Sequence, residues 1–529
     1  MTDKILISDK ISDDGLAVFE KAGIAFDHLP EITQDQIKET IHHYTGWVIR
    51  SRSRATADII ERADNLRVIG RAGVGIDNVD TAAATRKGII VMNTPGGNTT
   101  STAEHTISMM LSMARKIPQA YQSMREGKWD KKSFTGVEIN GKVLGVLGLG
   151  RIGQEVVKRM KSFNMQILGY DPFLPTDRMQ QLGVEPCSVD DICKRADFIT
   201  VHTPLSAETK DLINEARFKM MKKTARIVNC ARGGIINEPA LLAALKSNLI
   251  AGAALDVFVT EPTAADDEFR KLDNCVVTPH LAASTVEAQE NVAIQVAEQI
   301  VDVIKGGPVR NALNVPSLDP EILPIVGPYM ELAEKLGLFI SQYRRGRSTK
   351  LKITYSGSVL DHPTTAITIA AIQGFVKTAS DLPVNFVNAA PMLKDRGVEL
   401  IETRLSESGQ YTNLITIECE QEDGTKNTVG GSLLTRKMPR IVILNDKHFN
   451  AVPEGNLVII ENEDVPGIIG AVGTVFGKNS VNIGQMTWGR KSSDNTAMTI
   501  INIDTEVSDT VLNQLRNLPH IKSVELVKL

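Results

Sequence analysis

The chain is short of cysteine, lacks long apolar runs and carries almost no charge bias, and each shortage narrows what it can be. Its five cysteines, Cys187, Cys193, Cys230, Cys275 and Cys419, are an odd number with no C-x-x-C pair. That argues against a disulfide framework or a zinc site and fits a reducing compartment. No run of about 18 apolar residues occurs, so no segment is expected to span a membrane. Lys4-Ile5-Leu6-Ile7-Ser8 reads as a first strand, not as a basic and apolar secretion leader, and a cytoplasmic protein is expected. Lys and Arg total 59 against 63 Asp and Glu, a formal charge of −4. A coat for nucleic acid needs a basic excess that is missing here. Low-complexity segments are missing too.

What remains is ordinary globular composition, 42% hydrophobic and 23% charged. A length of 529 residues exceeds one core and suggests about three to five domains. The first hundred residues alternate short apolar runs with amphipathic stretches, the pattern of β-α units on a parallel sheet. Residues 142–284 repeat it more strongly. Strands are expected at Val143–Leu147, Gln166–Gly169, Phe198–Val201, Arg226–Val228, Ala251–Leu255 and Cys275–Thr278. They are continuous apolar runs, as strands covered on both faces should be. Ser188-x-x-Asp191 marks the start of one intervening helix. A long helix is expected over 285–303, and Pro316, Pro320 and Pro324 make the next stretch turn-rich. Residues 320–452 read as mixed α+β. The last 75 or so follow the order βαββαβ of a ferredoxin-like domain.

The strongest local signal is Gly148-Leu149-Gly150-Arg151-Ile152-Gly153, between a predicted strand and a predicted helix. Gly148 makes the tight turn, Gly150 admits a pyrophosphate to the backbone, and Gly153 lets helix and strand approach. The next strand ends at Asp171, which can accept hydrogen bonds from ribose hydroxyls and would repel a 2′-phosphate. Pro172-Phe173-Leu174 follows, with no cation to neutralise one, so NAD is favoured over NADP. A second signal lies at the carboxyl ends of later strands, where α/β sheets bind ligands. Arg232, Glu261 and His280 emerge there together. A guanidinium clamps a carboxylate, an imidazole with an ordinary pKa of about 6.5 takes a hydroxyl proton at neutral pH, and a neighbouring carboxylate orients it.

These stretches, with Gly70 to Asn78, Val91-Met92-Asn93-Thr94-Pro95, Val201-His202-Thr203-Pro204 and Asn229 to Gly234, resemble the D-2-hydroxyacid dehydrogenase family over essentially the whole chain. The likeness implies two Rossmann-like doubly wound domains in an α/β fold: a discontinuous substrate domain, 1–98 plus 286–313, and an NAD domain, 99–285. An α+β intervening domain, 318–452, and a ferredoxin-like ACT regulatory domain, 455–529, complete it. It implies that Arg232 holds the substrate carboxylate, Glu261 supports His280, and His280 is the acid/base. Val74, Arg151, Ile152, Asp171, Thr203, Cys230 and Asp256 match NAD-contacting positions beside the three glycines, with Val74 where Thr is common.

Within the family the likeness is greatest to long members that oxidise 3-phospho-D-glycerate to 3-phosphohydroxypyruvate, the first step of L-serine biosynthesis. The basic loop Arg50-Ser51-Arg52-Ser53-Arg54 then supplies a phosphate site through Arg50, Ser51 and Arg52, and the Gly73-Val74-Gly75 backbone meets the carboxylate beside Arg232. Without the likeness the same loop reads as solvated surface charge. Trp129 and Lys131 resemble a segment that reaches a neighbouring subunit. Asn462, Asp464 and Asn482 match positions that bind serine in ACT modules, making L-serine the expected effector and a homotetramer the expected assembly. Other readings are a glyoxylate/hydroxypyruvate reductase, which lacks the C-terminal domains, and an NAD-sensing co-repressor, which lacks the ACT-like end. No metal is expected.

Overall fold

A computed structural model describes residues 3–316, 321–343, 346–380, 383–406, 409–435, 437–490 and 495–529. The expected start of the third domain at 318 and Pro320 lie outside these residues. Among the described residues the strands form four sheets. The first is parallel, in the order Ala25–His28, Lys4–Ile7, Gly46–Ile49, Val68–Arg71, Ile90–Met92. The second is parallel and seven-stranded, in the order Cys275–Val277, Gly252–Leu255, Arg226–Asn229, Phe198–Val201, Val143–Leu147, Gln166–Tyr170, Glu185–Pro186. Strands Phe198–Val201 and Gly252–Leu255 are buried throughout, which explains their uninterrupted apolar sequence. The strand order reverses between Val143–Leu147 and Phe198–Val201, opening a crevice at their carboxyl ends.

After the second sheet the chain returns to the first. Helix Val286–Ile304 lays Ala293, Val296 and Ile300 into the core formed by Ile5, Ile7 and Val68. Close approach depends on Gly70, since a Cβ there would lie 2.6 Å from Val296 Cγ2. Helix Val286–Ile304 is thus built from residues far downstream of the strands that it covers.

The third sheet is mixed and six-stranded, with one parallel edge pair, Ser348–Gly357 and Glu399–Leu405. Helices Leu323–Tyr343 and Thr365–Lys377 pack tightly against each other beside it: a Cβ on Gly337 would lie 2.0 Å from Ala371 O, and one on Gly374 would lie 2.0 Å from Glu334 O. The first of these helices occupies sequence that its prolines made look turn-rich. Pro324 sits in the first turn, where no amide is needed, and Pro328 removes a single bond.

The fourth sheet is antiparallel, in the order Ile483–Arg490, Thr496–Ile503, Asn456–Glu463, Ile521–Lys528, with helices Ile468–Lys478 and Asp509–Arg516 completing the βαββαβ pattern. Val458, Ile460 and Ile501 pack with those helices, while Leu457, Ile459 and Ile500 join the core of the third sheet. Alternating strand residues therefore serve two cores. Contact with the front half runs through Asn385, whose Nδ2 donates to Gly88 O at 2.8 Å. Among the described residues no helix is long and apolar enough to cross a membrane.

Candidate active site

The glycine loop has the geometry that a dinucleotide requires. Gly148 lies at φ +95°, a left-handed conformation costly for any side chain. A Cβ on Gly153 would sit 2.1 Å from Gly148 O, whereas one on Gly150 would meet nothing within 4 Å. Gly150 caps the start of helix Arg151–Lys161, and a helix N-terminus is suited to an anion. Asp171 accepts from Leu149 N at 2.8 Å and Phe173 N at 2.9 Å, one amide on each oxygen. Each oxygen keeps a lone pair for a ribose hydroxyl. Thr203 Oγ1 is buried without a partner. That orphaned hydroxyl, the open glycine and the acid at the strand end fit NAD.

Other expected contacts fall around this crevice. Arg151 Nη1 donates to Pro95 O at 2.7 Å, reaching across to the first-sheet segment. Ile152 packs into the core behind the loop. Val74 O accepts from Asn93 Nδ2 at 2.6 Å. Cys230 is buried, and burial pushes its thiol well above the ordinary range. His202 stands behind Gly148, with Nε2 3.0 Å from Thr200 Oγ1 and Nδ1 unpartnered. Burial lowers its pKa to about 4, so it is neutral at pH 7. The carboxylate of Asp256 is fully enclosed and accepts from Thr278, Leu281 and Ala282.

Arg232, Glu261 and His280 emerge at neighbouring strand ends. His280 Nδ1 lies 2.7 Å from Glu261 Oε2. A carboxylate only accepts, so Nδ1 carries the hydrogen and Nε2 keeps a free lone pair. Glu261 Oε1 is held by Phe258 N at 3.0 Å. The Arg232 loop presses on that segment, since a Cβ on Gly233 would lie 2.1 Å from Phe258 O. Arg232 Nε donates to Asp77 Oδ2 at 3.0 Å, and a Cβ on Gly75 would overlap Arg232 Nη2. The Gly75 backbone therefore lies directly against the Arg232 guanidinium, and a Cβ on Gly73 would meet the Arg71 guanidinium instead.

Sequence reasoning took Arg71 only for its backbone amide and missed its side chain. Arg71 ends strand Val68–Arg71, is half-buried, and leaves a buried Nε without a partner. Burial, then the like charge of Arg232, lowers its pKa to about 10. Asp77 and Asp9 oppose this, and Arg50 adds to it. Arg50 is itself pulled down by burial. Three guanidiniums thus share a region with two carboxylates, an excess that suits a multiply charged anion. The available signal was a cation at a strand's carboxyl end, inside a stretch quoted above for its likeness. Asp9 was also missed. It accepts from the amides of Arg50, Arg52 and Ser53 and so shapes the arginine loop.

The Arg52 guanidinium makes bonds within the chain. Its Nη1 and Nη2 donate to Ile32 O at 3.0 Å and Ser8 O at 2.6 Å, so the guanidinium ties the loop down. Ser51 is exposed beside it. Trp129 is 77% exposed, with Lys131 Nζ 5.9 Å from its ring centre. In the fourth sheet Asn462 is fully buried with Oδ1 unpartnered, Asp464 pairs with Arg490 at 3.1 Å, and Asn482 bonds to Asp504.

Comparison with known proteins bears directly on this geometry. Residues 107–282 match the D-isomer specific 2-hydroxyacid dehydrogenase NAD binding domain, 325–445 the D-3-phosphoglycerate dehydrogenase intervening domain, and 456–520 the ACT domain. A D-3-phosphoglycerate dehydrogenase of Methanocaldococcus jannaschii is 42% identical, covering 99% of this chain and 100% of its own. That of Bacillus subtilis is 40% identical, covering 99% of each. The chain belongs to the D-3-phosphoglycerate dehydrogenase family. It is accordingly an NAD-dependent oxidoreductase. The D-lactate dehydrogenase structure of Escherichia coli matches with 29% identity and a TM-score of 0.52, covering 59% of this chain and all of its own. A glyoxylate reductase from Paecilomyes thermophila matches with 26% identity and a TM-score of 0.54, covering 59% of this chain and 98% of its own. These short enzymes account for only part of the chain, whereas the long relatives account for nearly all of it. The full-length match favours the long dehydrogenase over both alternatives, the short reductase and the co-repressor.

Proposed function

We propose that this chain oxidises 3-phospho-D-glycerate at C2 to 3-phosphohydroxypyruvate, with NAD as acceptor. The observation that carries this reading is geometric: the Arg232 guanidinium lies against Gly75, the Arg71 guanidinium against Gly73, and the Gly233 loop against the segment whose Glu261 orients His280. Arg232 and the Gly73–Gly75 amides take the carboxylate, and Arg50 and Arg71 take the phosphate, with Arg52 holding their loop in place. Gly148, Gly150, Arg151, Gly153, Asp171 and Thr203 line the cofactor side. Bound NAD supplies the two-electron acceptor for the C2 hydride. As the C2–H bond breaks with its electron pair and C2–O becomes a carbonyl, His280 Nε2 takes the hydroxyl proton. Glu261 keeps the ring in the tautomer that can do so and stabilises the imidazolium that results. With substrate deuterated at C2, all label is expected in the reduced cofactor. Unlabelled NADH, or no reduction of NAD, would contradict the reading.

The same proposal assigns regulation to the C-terminal end, with L-serine bound at Asn462, Asp464 and Asn482 in a homotetramer. Supporting it are the buried unpartnered Asn462 Oδ1 and the exposed apolar face of Ile117, Tyr121 and Met124 on helix Ile117–Arg125. The link to catalysis is the Asn385–Gly88 bond, at the end of helix Thr81–Lys87, which follows the Arg71–Asp77 loop. Serine titration should lower the rate of a species that sediments as a tetramer. An indifferent enzyme, or a monomer, argues against this part.

A further inference from the structure

The acid/base residue sits on strained backbone. His280 adopts φ +56°, a left-handed conformation that residues with a Cβ rarely hold without support. Its support is Asp256. His280 N donates to Asp256 O at 2.9 Å, Leu281 N to Oδ1 at 2.7 Å, and Ala282 N to Oδ2 at 2.9 Å. The side chain and backbone of one residue thus grip three successive amides of the segment that carries His280. Thr278 Oγ1 adds a bond to Oδ1 at 2.6 Å.

The geometry points to His105 as the positioning residue that holds this grip: its Nε2 lies 3.1 Å from Asp256 Oδ1 and anchors the carboxylate to helix Thr99–Arg115. The carboxylate is fully buried and the imidazole only 19% exposed, so little water competes for the bond. Burial alone would raise the pKa of Asp256, yet the bonds from His105, Thr278 and Leu281 outweigh it and keep the group ionised. Four residues before His105 on the same helix face, Ser101 Oγ donates to Ala282 O at 2.5 Å. One helix therefore holds the His280 segment at two points. His105, Cys230 and Asp256 offer ligand-type atoms within 4.8 Å of one another. Both oxygens of Asp256 are engaged by donors from Thr278, Leu281 and Ala282, so the carboxylate forms part of a hydrogen-bond network.

This inference rests on the acid/base reading of His280, and the test separates the two. His105→Leu removes the donor, His105→Gln restores one near the Nε2 position, and Thr278→Val removes the companion bond without changing shape. In His105→Leu, kcat should fall at least about tenfold, because small displacements of a reacting group are costly. The KM for phosphoglycerate and the calorimetric Kd for NADH should stay within about twofold. His105→Gln should recover most of the loss, and Thr278→Val should show a milder drop of the same kind. A normal kcat in His105→Leu overturns the inference, as does a loss matched by weaker NADH binding, or a glutamine variant as impaired as the leucine one. Should His105→Leu fail to fold, a normal kcat in Thr278→Val overturns it. His280→Ala, assayed alongside, shows which idea failed. If that variant turns over normally the acid/base reading is wrong, whereas if it is inactive beside a normal His105→Leu only this inference is.

Discussion

His280→Ala is expected to lower kcat by about a thousandfold while leaving substrate and NADH affinity within a few-fold of normal. The reason is geometric. Glu261 fixes the hydrogen on Nδ1 at 2.7 Å, which leaves Nε2 as the base. Alanine removes the proton acceptor but not the arginines that bind the anion. Glu261→Gln should be milder, about ten- to a hundredfold, because a glutamine oxygen can still accept from Nδ1 but offers no charge to the imidazolium. Steady-state kinetics with 3-phospho-D-glycerate and NAD separates the terms. Near-normal kcat in His280→Ala would remove it from the chemistry.

Arg71→Met should raise the KM for phosphoglycerate about a hundredfold, corresponding to roughly 3 kcal/mol for losing one side of a half-buried charged contact. The same change should leave the ligand-free protein as stable as before, or more so. Arg71 is half-buried beside the like charge of Arg232 with Nε buried and unpartnered, so its charge opposes folding until an anion arrives. Methionine keeps much of the apolar stem without that cost. A thermal midpoint unchanged or raised by a few degrees, together with a high KM, is the expected pair of results. A normal KM, or a collapse of stability, would show that Arg71 is structural.

Much of this site was legible because its chemistry follows local rules. Gly148 and Gly153 sit where a turn and a close approach allow nothing larger, and Asp171, Arg232 and His280 sit at strand ends that apolar runs already marked. What escaped depends on partners remote in sequence. Arg52 stays exposed but bonds the carbonyls of Ser8 and Ile32, and no spacing within its loop shows this. Arg71 is remarkable only for burial beside Arg232, a residue from another sheet. Asp256 matches an NAD-contacting position in sequence, yet its carboxylate faces His105 and the His280 segment. In the rear half, the six-stranded sheet showed weakly because several of its strands alternate buried and exposed residues. The helix over 323–343 was hidden by prolines placed where a helix tolerates them.

The central claim is that this site oxidises a phosphorylated hydroxy acid and uses its arginines to recognise the phosphate. The most direct measurement is kcat/KM with NAD for 3-phospho-D-glycerate against D-glycerate, which differ only in that group. The arginine cluster predicts a preference of at least about a thousandfold for the phosphorylated acid, the equivalent of roughly 4 kcal/mol of charged contacts. Equal values for the two substrates would contradict the account.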